Sequence, residues 1–215
     1  MKHRRLLYAL AVILPLAAAC DDDEEVIFEV YRASLVQVNP QMTLSIPTAT
    51  AEIIVEDDEV VQVRVEGLGL DAVGHPTFLR SGAGCPTDVL DTNDDGVVDV
   101  IEGEAAYGTI LLPFDADISN QGIELGTFPT GASFSYFESS DFEDVVDAIA
   151  GPDVDPDDFV FPLPAGEVLD LERRTIVVHG VAPALLPTPH SARSLDGLDA
   201  PATIPILCGR LSRVE

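Results

Sequence analysis

Residues 91–102 read DTNDDGVVDVIE, and they carry the chemistry most easily recognised in this chain. Asp91, Asn93, Asp95, Asp99 and Glu102 put side-chain oxygens at loop positions 1, 3, 5, 9 and 12, with Gly96 at position 6. That is the spacing of a twelve-residue calcium loop. Calcium is a hard cation that takes six to eight oxygens, so closely spaced carboxylates and amides suit it. Gly96 permits the sharp turn, Val97 offers its backbone carbonyl, and Glu102 can close the sphere with both oxygens. An aspartate-rich chain makes chance matches commoner, but abundance of aspartate does not place Gly96 and Glu102. The flanks, residues 86–90 and 100–107, are shorter than the helices of a full EF-hand, and the loop is single where sensor loops pair. The expected cofactor is therefore a structural calcium ion, with an affinity on the order of 10⁻⁵ to 10⁻³ M.

Other chemistry is weaker. His75, His179 and His190 lie far apart in sequence, and no His-x-His spacing joins any of them. A structural histidine is the stronger reading of each. The alternative is a copper or zinc metalloprotein or enzyme using His75 and His179. A further alternative is an Asp/Glu-dependent hydrolase using the aspartates of residues 153–158, which requires two carboxylates to converge in a deep pocket. There is no Gly-x-Ser-x-Gly elbow and no phosphate-cradling glycine motif. Aromatic residues make up 6% of the chain and tryptophan is missing, which counts against a sugar-stacking platform.

The 215 residues carry 38 acidic and 11 basic side chains, a net charge of -27. Such a surface repels nucleic acid and favours divalent cations and basic protein or ligand partners. Lys2, Arg4 and Arg5 precede an apolar run from Leu6 to Leu16, then Ala17, Ala18, Ala19 and Cys20. This order describes an export signal, too short for a transmembrane span. A cysteine after small residues resembles a bacterial lipoprotein signal, although Ala17 stands where that signal usually has leucine. The expected organisation is a signal peptide over 1–19, a lipidated acidic tether over 20–27 anchored through Cys20, and one domain over 28–215. The mature protein would be exported and membrane-anchored, periplasmic or at the cell surface. Cys85 and Cys208 then remain as an even pair, which in an oxidising compartment implies a disulfide. Closing so long a loop is worth ~4 kcal/mol in the chain-entropy model.

The elements that position these residues read mainly as strands. Residues 61–66 alternate valine with polar side chains, as a half-buried strand does. Residues 51–55 precede them, and Glu56, Asp57 and Asp58 suit a hairpin turn. Residues 28–38, 109–114, 132–137, 175–181 and 204–211 also read as strands, the last with Pro205 at an edge or a strand start. One short helix is expected over about 140–150. There Ser140 and Glu143 form a capping box, and Phe142, Val145, Val146 and Ile149 form one apolar stripe. The fold class is mainly β: a β-sandwich-like single domain with that helix and an inserted EF-hand-like calcium loop.

Several segments together resemble a known family. They are VEGL at 65–68, GHP at 74–76, Cys85-Pro86, the loop at 91–102, GEAAYG at 103–108, LLP at 111–113, RTIVVHG at 174–180 and LCG at 207–209. In this order they resemble bacterial secreted proteins with a CHRD (chordin-like) domain, over roughly residues 28–211. The resemblance implies an extracellular β-rich module, in a family whose bacterial members mostly lack an assigned activity. One departure stands out. The family pattern carries a histidine cluster where residues 75–80 read HPTFLR, and only His75 remains. The expected function is a calcium-stabilised, non-enzymatic binding or adhesion module on an exported lipoprotein.

Overall fold

The computed structural model describes residues 27–214 except 58, 125, 151–162, 164–168, 188–191 and 196. Cys20, His190 and the aspartates of 153–158 lie outside the described residues. Among the described residues there are nine strands. They are β1 (Phe28–Gln37), β2 (Thr48–Glu56), β3 (Val60–Leu68), β4 (Thr77–Arg80), β5 (Ile110–Pro113), β6 (Ser133–Asp141), β7 (Thr175–His179), β8 (Pro205–Arg210) and β9 (Ser212–Val214). Three helices accompany them: α1 (Val100–Tyr107), α2 (Phe142–Ala150) and α3 (Ala200–Thr203).

The strands run in the order β5-β4-β7-β8-β1-β2-β3-β6, with β9 beside β1. Every pairing is antiparallel. The long first strand joins two halves. Residues Phe28 to Leu35 of β1 pair with β2, and its last residues, Val36 and Gln37, pair with Cys208 and Leu207 of β8. The sheet curls at this handover, which makes the mainly β fold sandwich-like. Between the halves lies the main core. Ala49, Ala51, Ile53 and Val55 of β2 and Val61, Val63 and Val65 of β3 meet Leu79, Ile176, Val178 and Leu207 there. The alternation in β2 and β3 has its physical cause here, because one face is buried and the other faces water.

The other face of the β4-β7-β8 half is covered too. Phe78 lies opposite Val177, and Arg80 opposite Thr175. Over them pack residues 81–99, α1 and residues 192–195. Phe78, Val100, Ile110, Phe128 and Leu195 form one small apolar cluster. Val38, Tyr107, Val177 and Cys208 form another, with Cys85 against it. A disulfide joins Cys85 to Cys208 across 123 residues, with Cα atoms 5.6 Å apart. The covering layer is thus fastened to the middle of a central strand.

Three details differ from the sequence expectations. Ser140 does not open a helix; it lies in β6 opposite Val61, because β6 pairs with β3 along its whole length. Regular ladder bonds satisfy more backbone groups than a local cap offers. The helix begins at Phe142, and Val145 and Ile149 are buried as the stripe requires. Next, α3 is an additional helix, whereas α1 falls on the flank 100–107 read as a short helix after the loop. Finally, β4 and β9 are additional strands. Pro205 does start a strand, β8.

Candidate functional site

The acidic loop is folded on itself by its own side chains. Asp91 accepts from the amides of Asp95 (3.1 Å) and Gly96 (2.8 Å). Asn93 Oδ1 accepts from the Asp95 amide at 2.9 Å, and Asp95 Oδ1 from the Val97 amide at 3.0 Å. Gly96 has φ +86, and a Cβ there would meet nothing within 4 Å. The glycine is needed for its backbone conformation, not for room. Val97 and Val98 are buried beneath the loop. Asn39, which the sequence did not single out, ties the loop to the sheet. Its side chain donates to Val98 O (3.0 Å) and Pro205 O (2.8 Å) and accepts from the Val98 amide at 2.9 Å. Gln41 donates to the Gly96 carbonyl.

Loop positions 9 and 12 also start α1. Asp99 is its N-cap, accepting from the amides of Ile101 (2.9 Å) and Glu102 (2.9 Å). Glu102 Oε2 returns the bond, accepting from the Asp99 amide at 3.1 Å. The capping box expected at Ser140 and Glu143 has its observed counterpart here. Glu102 Oε1 accepts from the amide (2.9 Å) and hydroxyl (2.8 Å) of Thr92, so the last loop residue closes back on the second. Glu102, expected to hold an ion with both oxygens, serves a helix start in which exposed amides need acceptors.

A cation does lie against these two acids. Arg193 donates to Asp99 through its amide (2.8 Å), Nε (2.9 Å) and Nη2 (3.2 Å). Its Nη2 is 3.8 Å from Glu102 Oε1. The Asp99 side chain is fully buried while that of Arg193 is 49% exposed. The hydrogen bond to Asp99 is the main cause of an upward shift of the Arg193 pKa. No sequence signal pointed to Arg193, which comes from a distant loop.

The donor set suits a hard cation. It is all oxygen, but the carboxylates at positions 9 and 12 are already engaged: Asp99 Oδ1 accepts three hydrogen bonds, and Asp99 Oδ2 and Glu102 Oε1 accept two each. The guanidinium of Arg193 stands in for positive charge beside positions 9 and 12. As the side chains lie, no three His, Cys, Asp or Glu side chains among the described residues converge as a metal group. An ion held by the whole loop therefore needs side-chain rotation at Glu102 and displacement of Arg193.

His75 and His179 do come together, but ring to backbone. His75 Nδ1 faces His179 O at 3.0 Å, and its Nε2 faces Asp71 O (3.0 Å) and Gly131 O (3.1 Å). His179 Nδ1 faces Pro76 O at 3.1 Å, and Arg80 Nη2 lies 3.3 Å from its Nε2. A carbonyl only accepts, so Nδ1 of His179 carries the proton and Nε2 accepts from Arg80. Burial first, then the charge of Arg80, pushes the His179 pKa well below the usual histidine range. Both rings are fully buried. Neither aims a free nitrogen at the other, so the pair does not fit a copper or zinc site.

Arg80, like Asn39 and Arg193, was not singled out by the sequence. It is buried, and its Nε has no hydrogen-bond partner. Its guanidinium stacks 4.5 Å from the Tyr107 ring centre and 5.3 Å from that of Phe78. Tyr107 donates to Val100 O at 2.8 Å, laying its ring back along α1. Burial lowers the pKa of Arg80. Asp115, also buried, accepts from the amides of Asp117 (3.2 Å) and Glu124 (2.9 Å) and so holds a turn. No helix among the described residues is long and apolar enough to cross a membrane. In comparisons with known proteins, the sequence matches no family model and no curated protein.

Proposed function

We propose that this chain is a non-enzymatic binding or adhesion module of the chordin-like kind, exported and anchored through Cys20, whose 91–102 loop takes calcium as a structural ion. The observation that carries the calcium reading is the loop itself. Five oxygen-bearing side chains stand at ligand spacing around a glycine with φ +86. Its place in the fold supports a structural role, because it lies between the Cys85–Cys208 disulfide and α1, in the layer covering β4, β7 and β8. An ion there would fasten that layer a second time. Asp91, Asn93, Asp95, the Val97 carbonyl, Asp99 and Glu102 would hold it. The chemistry it supplies is charge neutralisation of the acidic loop. The excess of acidic side chains favours a basic partner, which remains part of the same proposal.

Thermal unfolding with calcium and with chelator tests this reading. For a dissociation constant of ~10⁻⁴ M, 10 mM calcium adds about 2.7 kcal/mol. In a domain of this size that raises Tm by roughly 5–10 °C. Asp91→Ala should abolish the shift. A melting curve that is the same in calcium and in chelator refutes the reading.

A further inference from the structure

We propose that Arg193 is a tethered cation that competes with calcium for Asp99 and Glu102, and so sets the cation affinity of the loop. This rests on the reading of residues 91–102 as a calcium loop. Both Asp99 oxygens already carry Arg193 contacts, Oδ2 from the amide and Nε and Oδ1 from Nη2. Glu102 Oε1 lies 3.8 Å from the same Nη2. These are the side chains at positions 9 and 12, the first reaching an ion directly or through a water and the second closing the sphere with both oxygens. A divalent ion and a guanidinium on the same oxygens repel each other, and more strongly where the oxygens are buried. The Asp99 and Glu102 side chains are 0% and 1% exposed.

The arginine can give way without unfolding its surroundings. Half of its side chain already faces water, whereas its neighbour Leu195 is anchored in the cluster with Phe78, Val100, Ile110 and Phe128. Calcium entry then releases the guanidinium and the Arg193 amide while Leu195 holds the segment on the sheet. The same exchange also explains how one loop is closed at both ends before an ion arrives. Arg193 covers the buried charge of Asp99 that the capping amides leave uncompensated.

Calcium titration by calorimetry, on the mature chain and on Arg193→Gln and Arg193→Lys, tests the competition. Arg193→Gln removes the charge and should bind calcium about tenfold more tightly or better, a change of ~1.4 kcal/mol per tenfold. Arg193→Lys, which keeps charge but loses the planar fork, should fall between. Hydrogen exchange on the unaltered chain is a second readout that needs no variant: calcium should weaken protection of the Arg193 amide. Equal or weaker binding by Arg193→Gln, or unchanged amide protection at saturating calcium, overturns the competition and leaves the calcium reading standing. If no chain binds calcium at 10 mM, the loop reading itself fails and the competition fails with it.

Discussion

Cutting the Cys85–Cys208 bridge should cost this domain about a third of a typical stability or more, almost all of it through the unfolded chain. The bridge spans 123 residues. In the chain-entropy model a loop of that length costs the unfolded state ~5 kcal/mol of conformational freedom at 25 °C. The folded side should change little, because the covering segment has other holds. Arg174 donates to Ser81 O, Thr175 Oγ1 to Gly82 O at 3.1 Å, and the Gly82 amide to Tyr107 O at 2.7 Å. Urea unfolding of oxidised and reduced protein is the direct assay, since reduction keeps both sulfurs in place. Cys208 is fully buried, so the Cys85→Ala, Cys208→Ala double variant should lose ~1 kcal/mol beyond reduction through the cavity it opens. The expected loss on reduction is ~3–5 kcal/mol, or roughly 10–15 °C in Tm. The m-value should rise, because an uncrosslinked unfolded chain exposes more surface. A loss under ~1 kcal/mol with an unchanged m-value would refute the reasoning, since the bridge would then not be constraining the unfolded chain.

Stability should also fall in mild acid on account of His179. Its pKa is depressed in the folded protein from an ordinary 6.5, so below that pH the unfolded chain binds a proton that the folded chain refuses. The stability it contributes is complete above pH 6.5 and is lost at ~1.4 kcal/mol per unit as pH falls toward the folded pKa. Urea midpoints at pH 7.5, 6.5 and 5 should show this limb, and His179→Gln should flatten it. Gly103→Ala should destabilise by ~1–3 kcal/mol, although alanine favours helices, because the new Cβ would lie 2.4 Å from the Tyr107 hydroxyl. A gain in urea midpoint would sink that prediction. Gly180→Ala and Gly96→Ala both impose alanine on a positive φ, but only the first drives its Cβ to 2.1 Å from a backbone oxygen, that of Gly74. Thermal melts should therefore show ~1–2 kcal/mol lost at Gly96 and at least twice that at Gly180.

What could be read in advance was whatever local pattern decides. The valines of β3 alternate because one face is wet, and the period of two survives in the sequence. Cys85 and Cys208 needed only counting and a compartment. The β4 segment TFLR was unreadable because both its faces are covered, with Leu79 toward the main core and Phe78 and Arg80 toward the outer layer. A strand buried on both sides shows no alternation. Ser140 illustrates the opposite failure, a local signal overruled by a nine-residue ladder. Asp99 and Glu102 were visible as loop positions, yet Arg193 was not, because 94 residues separate it from Asp99 and nothing in the local sequence marks the pairing. The histidine pair was legible only as two residue types. Which atoms they turn toward one another is decided by tertiary backbone, not by spacing.

The two arginines show why net charge says little about the interior. With 38 acidic side chains in the chain, a buried arginine is expected beside a carboxylate. Arg193 follows that rule at a half-exposed position, and Arg80 does not. Arg80 is held by two aromatic faces and the lone pair of a neutral imidazole. The two cations meet α1 at different places: Arg193 through the cap residue Asp99, Arg80 through the Tyr107 ring laid along the helix. A helix of eight residues is too short to hold itself in water, so these tertiary contacts fix it. The helix following the acidic loop is thereby anchored, with its last residue tied through Tyr107 to Arg80. Any adjustment that a bound ion demands must then fall on the parts that can yield, the Glu102 side chain and the guanidinium of Arg193. That asymmetry makes Arg193, rather than α1, the place where cation binding should be felt.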